Sequence, residues 1–87
     1  MVKVCFKPTF VKQYARLEPT LKDEVKEKIK LFQNIRNHRY LRVHKLKGKL
    51  RGRYGFSVNY RYRIIFAWLS KTEAVLLGIG DHDVYDS

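Results

Sequence analysis

The chain is poor in cysteine and proline, with one Cys and two Pro in 87 residues. A lone cysteine excludes an internal disulfide and any thiolate cluster held within one chain. Cys5 is therefore expected to be a small, buried strand residue. Long hydrophobic runs are missing as well. Nowhere do the roughly 18 consecutive apolar residues of a membrane span occur, and Met1-Val2-Lys3-Val4-Cys5-Phe6-Lys7 has no apolar run of signal-peptide length. A cytoplasmic protein with no membrane partner is expected. Carboxylates are scarce too: eight Asp and Glu face 19 Lys and Arg, for a net charge of +11. Such an excess favours a polyanionic partner, nucleic acid or an acidic protein, over a neutral metabolite.

The distribution of charge says more than its sum. From Lys28 to Thr72 there are 45 residues without a carboxylate, and they carry 13 Lys or Arg. A solvated basic face would account for scattered charge. A field this concentrated repels itself and is easiest to understand if a partner neutralises it. What the chain does have is 45% apolar residues, enough for one hydrophobic core at this length. A single domain over residues 1–87 is expected, without linkers, repeats or low-complexity tracts.

Val2 to Phe6 alternates in the manner of a strand, and Pro8 ends it. Phe10, Tyr14 and Leu17 recur at helical spacing, giving a first helix of about ten residues that stops at Pro19. Thr20-Leu21-Lys22-Asp23 resembles a capping box opening a second helix. The apolar stripe of that helix is Leu21, Val25, Ile29 and Phe32, with Glu24–Lys28 and Asp23–Lys26 as favourable outer pairs. From Asn37 the period changes from 3.6 to 2. Three strands are expected, near Val43 to Lys47, Tyr54 to Asn59 with a turn into Tyr62 to Leu69, and Ala74 to Ile79. Gly48 and Gly52 flank a short basic connection. The fold class is thus α+β in the order β-α-α-β-β-β, a helical hairpin packed on one face of a mostly antiparallel four-stranded sheet with the other face open. Alternation puts Tyr62, Ile64, Phe66 and Trp68 on the core side with Tyr54, Phe56 and Val58. It leaves Arg53, Gly55, Ser57, Asn59, Arg61 and Arg63 on the open side, Arg61 and Arg63 pointing together.

The groups suited to chemistry are His44, His82 and Tyr85, with Arg61 and Arg63 as charge stabilisers. Histidine, with an ordinary pKa of about 6.5, gives or takes a proton at cellular pH. RNA cleavage needs that: the 2′-hydroxyl loses a proton to attack the adjacent phosphate, the leaving 5′-oxygen gains one, and fixed cations meet the developing charge. Arginine suits the last role because its planar fork matches phosphate oxygens. No cofactor and no metal are required. His38, in the loop Asn37-His38-Arg39, reads as structural, whereas His82 lies just past the end of an apolar strand, where side chains meet solvent. His44 and Tyr85 are open to either reading. Asp81, His82 and Asp83 could suggest a metal, but three adjacent residues rarely converge on one ion and no second cluster completes a shell. Arg61 and Arg63 could also pair with Asp83 or Asp86.

Four stretches resemble the RelE/ParE superfamily of toxins: Val43-His44-Lys45-Leu46-Lys47-Gly48; Leu50-Arg51-Gly52-Arg53-Tyr54; Tyr60-Arg61-Tyr62-Arg63-Ile64-Ile65-Phe66; and Leu77-Gly78-Ile79-Gly80-Asp81-His82-Asp83-Val84-Tyr85. The histidine before Leu-x-Gly and the Gly-x-His near the carboxyl end are most similar to the YafQ branch. That resemblance implies a toxin of a type II toxin–antitoxin system that cuts mRNA in the decoding site of the translating ribosome. It places His44 and His82 on catalytic positions, Arg63 on a phosphate-binding arginine and Tyr85 near a carboxyl-terminal aromatic. Lys45, Lys47, Lys49, Arg51 and Arg53, with Arg61, would hold RNA, including 16S ribosomal RNA. Departures from the pattern are Ser57 in place of a further histidine, Arg61 in place of an acidic residue, and Gly55 and Ser57 in place of paired lysines.

The implied partners are a cognate antitoxin, mRNA and the ribosome, with higher-order toxin–antitoxin complexes. The alternative is a non-enzymatic, ParE-like inhibitor of DNA gyrase, whose members generally lack the histidine set. A basic RNA-binding module without toxicity is a third reading. The antitoxin is also expected on physical grounds, since an open sheet face and the edges of Phe10 and Tyr14 offer an acidic amphipathic segment both charge and apolar area.

Overall fold

The computed structural model describes residues 1–81, apart from the side chain of Lys49. Its elements run β1 (Lys3–Phe6), α1 (Pro8–Ala15), α2 (Pro19–Phe32), a 3-10 turn at Ile35–Asn37, β2 (His44–Lys45), a second 3-10 turn at Gly48–Leu50, β3 (Tyr54–Ser57), β4 (Arg63–Trp68) and β5 (Glu73–Gly80). The strands form one five-stranded sheet in the order β1-β5-β4-β3-β2. The expected four-stranded count is therefore corrected to five. The run from Tyr54 to Leu69 is two strands, because Asn59 makes a tight turn within it: its Oδ1 accepts from the N–H groups of Arg61 and Tyr62, both at 2.8 Å. Three pairings are antiparallel, and β1 lies parallel to β5 with Val4 opposite Ala74. The first and last strands of the described chain are thus neighbours at one edge of the sheet.

Both prolines open helices. Pro8 and Pro19 stand in the first turns of α1 and α2, where a missing N–H costs nothing and the fixed φ favours the helix. The expected capping box does not form: the N-cap of α2 is Glu18, with no side-chain cap bond, and Thr20 already lies within the helix. Glu24, expected to pair with Lys28, instead accepts a 2.6 Å hydrogen bond from Asn59 Nδ2, tying α2 to the β3–β4 turn.

The helix-covered face of the sheet carries an aromatic core. Phe32, at the end of α2, is fully buried and stacks on Phe56 at 4.6 Å, with Phe66 edge-on at 4.8 Å. His38 completes the stack, 4.8 Å from the Phe32 ring, and its Nε2 lies 2.7 Å from the Phe32 carbonyl. A carbonyl only accepts, so that nitrogen carries a proton, and His38 has the structural role its loop position suggested. Ile64, Ala74, Leu76 and Ile79 complete this core from β4 and β5.

The opposite face is not fully open. The turn at Gly48–Leu50 folds the basic connection over it, so that Leu46 and Leu50 bury Ile65 and pack against Leu77. Cys5 is exposed rather than buried, its Sγ 3.6 Å from the Ala74 carbonyl. It alternates with Val4, which packs on the core, on an edge strand. Among the described residues no helix is long and apolar enough to cross a membrane.

Candidate nucleic-acid interface

Sheet register decides which polar side chains share the face opposite the helices. His44 pairs with Gly55, and Gly55 with Ile65. Ser57 pairs with Arg63, and Arg63 with Gly80. Cross-strand partners share a face, so His44, Ser57 and Arg63 all lie on the side of the Leu46–Leu50–Ile65 cluster. His44 and Arg63 are two strands and two residues apart, roughly 12 Å between backbones from ordinary strand spacings. That spacing suits two groups flanking a bound strand.

His44 is exposed, and its Nδ1 lies 2.7 Å from the Arg42 carbonyl. The carbonyl can only accept, so Nδ1 holds the proton and, in the neutral ring, Nε2 carries the basic lone pair. Arg63 is half-buried. Its Nη1 donates to the carbonyls of Asn59 at 2.6 Å, Tyr62 at 3.1 Å and Tyr60 at 3.2 Å. The guanidinium therefore fixes the β3–β4 turn, beside the end of β5 where the described chain finishes at Asp81. His82 and Tyr85 lie outside the described residues.

Arg61 does not join Arg63. It sits in the turn rather than in a strand, its guanidinium 5.7 Å from the Tyr62 ring centroid, and it borders a groove shared with Glu18 and Glu24 at the α1–α2 junction. Lys45, Lys47, Arg51 and Arg53 are exposed along the connection that crosses the second face. Arg53 lines a depression there with Gln13, Leu50 and Ile65. Lys45 is opposite Tyr54, so it alternates to the other side of β2 from His44. Among the described residues no group of three His, Cys, Asp or Glu is placed to hold a metal ion.

The structure adds residues that the sequence did not single out. Lys28, Tyr40 and Arg42 line, with Ser57, Asn59 and Arg63, a depression of about 210 Å³ at the β2–β3 edge. Arg42 reaches it in a left-handed conformation, φ 59°, which is unfavourable for any residue bearing a Cβ. Nothing in the periodicity of 37–43 marks that conformation, and Lys28 lies well before Tyr40 and Arg42 in the chain while Ser57, Asn59 and Arg63 lie well after them, so no local motif could have gathered them.

No family model matches the chain, and no curated protein sequence matches it significantly. Solved structures do match in fold. YafQ from E. coli superposes with a TM-score of 0.78 at 13% identity, covering 100% of both chains. A toxin–antitoxin complex of Mycobacterium tuberculosis, RelBE2, gives 0.71 at 19% identity over 93% of this chain and 98% of that one. The heterotetrameric YoeB–YefM toxin–antitoxin complex from Staphylococcus aureus gives 0.68 at 18% identity over 94% and 98%. The fold is that of the RelE, ParE and YoeB toxins.

Proposed function

We propose that this chain is a toxin of a type II toxin–antitoxin pair that cleaves mRNA on the translating ribosome without a metal. The observation that carries this is the coincidence of a full-length YafQ-like fold with His44, Ser57 and Arg63 on one face of the sheet beside a basic connection. His44, with its lone pair on Nε2, takes the proton from the attacking 2′-hydroxyl or orients the group that does. Arg63 meets the phosphorane charge. His82, outside the described residues, is assigned the role of complementary acid. Tyr85 stacks on or positions a base. Lys45, Lys47, Lys49, Arg51, Arg53 and Arg61 hold ribosomal RNA and mRNA. A cognate antitoxin quenches the charge; the fold is shared with toxins solved in toxin–antitoxin complexes.

The carbonyl bonds of Arg63 favour one rival. A guanidinium that fixes a turn needs no chemistry, and a ParE-like gyrase inhibitor would keep it for that reason alone. One experiment separates the two. With translating ribosomes and a reporter mRNA, the wild-type protein is expected to cleave, and His82→Gln and His44→Ala to lose at least a hundredfold in rate while still co-sedimenting with ribosomes. Cleavage unchanged in both variants removes the histidines from the mechanism. Intact mRNA together with blocked gyrase supercoiling selects the rival.

A further inference from the structure

The depression at the β2–β3 edge is a chemical site in its own right. Lys28 comes from α2, Tyr40 and Arg42 from the connection into β2, and Ser57, Asn59 and Arg63 from β3, its turn and β4. It brings three cations together with an exposed phenol ring, Tyr40 being 69% exposed, and among the described residues no carboxylate lines it. The neighbouring groove that holds Arg61 has Glu18 and Glu24 in its wall and so cannot offer an anion the same field. Two of its walls are fixed. Ser57 N–H donates to the Leu41 carbonyl at 2.8 Å, pinning the segment between Tyr40 and Arg42 to the edge of β3. Arg63 is held to the turn by its carbonyl bonds.

Arg42 supplies an independent sign. It is the only non-glycine residue at positive φ among the described residues, and strained backbone of this kind persists where the surroundings over-determine it, often at ligand sites. A glycine would relieve the strain at once, so an arginine here points to a use for its side chain.

We infer that this depression binds one nucleotide of a single-stranded RNA, flanking the cleaved bond. Arg42 and Lys28 hold a phosphate on the side away from the active centre, Arg63 is shared with that centre, and Tyr40 stacks on an unpaired base. An acidic peptide would satisfy the cations but leave the phenol face without a planar partner, so RNA is the ligand the lining favours. The inference deepens the endonuclease reading and rests on it for the word "flanking", though not for the binding itself.

The test uses the full chain and a fluorescent 12-nucleotide RNA of mixed sequence, titrated at several salt concentrations, with a poly-glutamate peptide as second probe. Arg42→Gly and Lys28→Gln are each expected to weaken RNA binding and to flatten the salt slope by about 0.7 for each phosphate no longer held. Tyr40→Ala is expected to weaken it at least fivefold with the slope unchanged, the mark of missing stacking rather than missing charge. Arg42→Gly should keep or raise the melting temperature, so its weaker affinity cannot be assigned to unfolding. Unchanged RNA affinity in all three variants overturns the site. So does a parallel loss for poly-glutamate with no effect of Tyr40→Ala, which would make the depression a general anion patch. Variant-dependent RNA binding by a wild-type protein that leaves ribosome-bound mRNA whole supports the site while sinking the endonuclease reading. Cleavage by wild type with normal RNA binding in every variant does the reverse.

Discussion

The two faces of the sheet differ in how they are covered. Under the helices, Phe32, Phe56, Phe66 and Ile64 are fully buried in a continuous aromatic and aliphatic core. On the other side, among the described residues, Leu46, Leu50 and Ile65 form a small buried cluster, with Leu77 half-covered beside them. The first face is closed by long amphipathic helices and the second by a few residues of a connection whose remaining side chains are cations. One face supplies the stability, and the other is a scaffold just sufficient to lay Lys47, Arg51 and Arg53 across an otherwise accessible surface. The same division bears on a chain of net charge +11: Lys47, Arg51 and Arg53 repel one another on the thinly built side, where a polyanionic partner would offset the repulsion.

That contrast can be broken most severely at Phe32. Phe32→Ala removes the ring on which Phe56, Phe66 and His38 converge, and is expected to lower unfolding free energy by about 3–5 kcal/mol, read from urea denaturation. A smaller effect is expected on the second face. Leu50→Ala should lower stability by about 2 kcal/mol, near the lower end for a buried leucine, because the site lies close to solvent and can collapse. Its larger consequence would be functional: the basic connection loosens, and RNA affinity falls more than a stability change of that size implies. Equal losses from Phe32→Ala and Leu50→Ala would show that the two faces are equally built and would undo the distinction. The smallest effect belongs to Gly48, which holds φ 68° with nothing within 4 Å of where a Cβ would stand. Gly48→Ala should lower stability by about 1 kcal/mol through conformation alone, measured by the shift in the urea midpoint at unchanged slope.

Much of this architecture was legible in the residues. Leu21, Val25 and Phe32 mark the buried stripe of α2, and the alternation of Tyr62, Ile64, Phe66 and Trp68 gives the faces of β4 correctly. Elsewhere local signals misled. Thr20-Leu21-Lys22-Asp23 has the form of a capping box, yet Pro19 is itself a favourable first helical residue and moves the start of α2 upstream of it. Cys5 has the composition of a core residue, but on an edge strand the face opposite the helices is left to solvent. Arg61 and Arg63 alternate as strand neighbours only if both are in the strand, and the Asn59 turn takes Arg61 out of it.

By itself the sequence determined a strand, a helical hairpin and then further strands, counting one strand too few, together with the core-facing sides of α2, β3 and β4 and a basic segment free of carboxylates, because these follow from the period of apolar residues and from charge counted along the chain. Tertiary structure alone decided that β1 lies parallel to β5, that Leu46 and Leu50 fold over the second face, that Arg42 takes a left-handed turn, and that Lys28, Tyr40, Arg42 and Arg63 share one depression. Each of these joins residues distant in sequence or a conformation imposed by neighbours, and no local pattern encodes which strand edge a segment will meet once the core has closed.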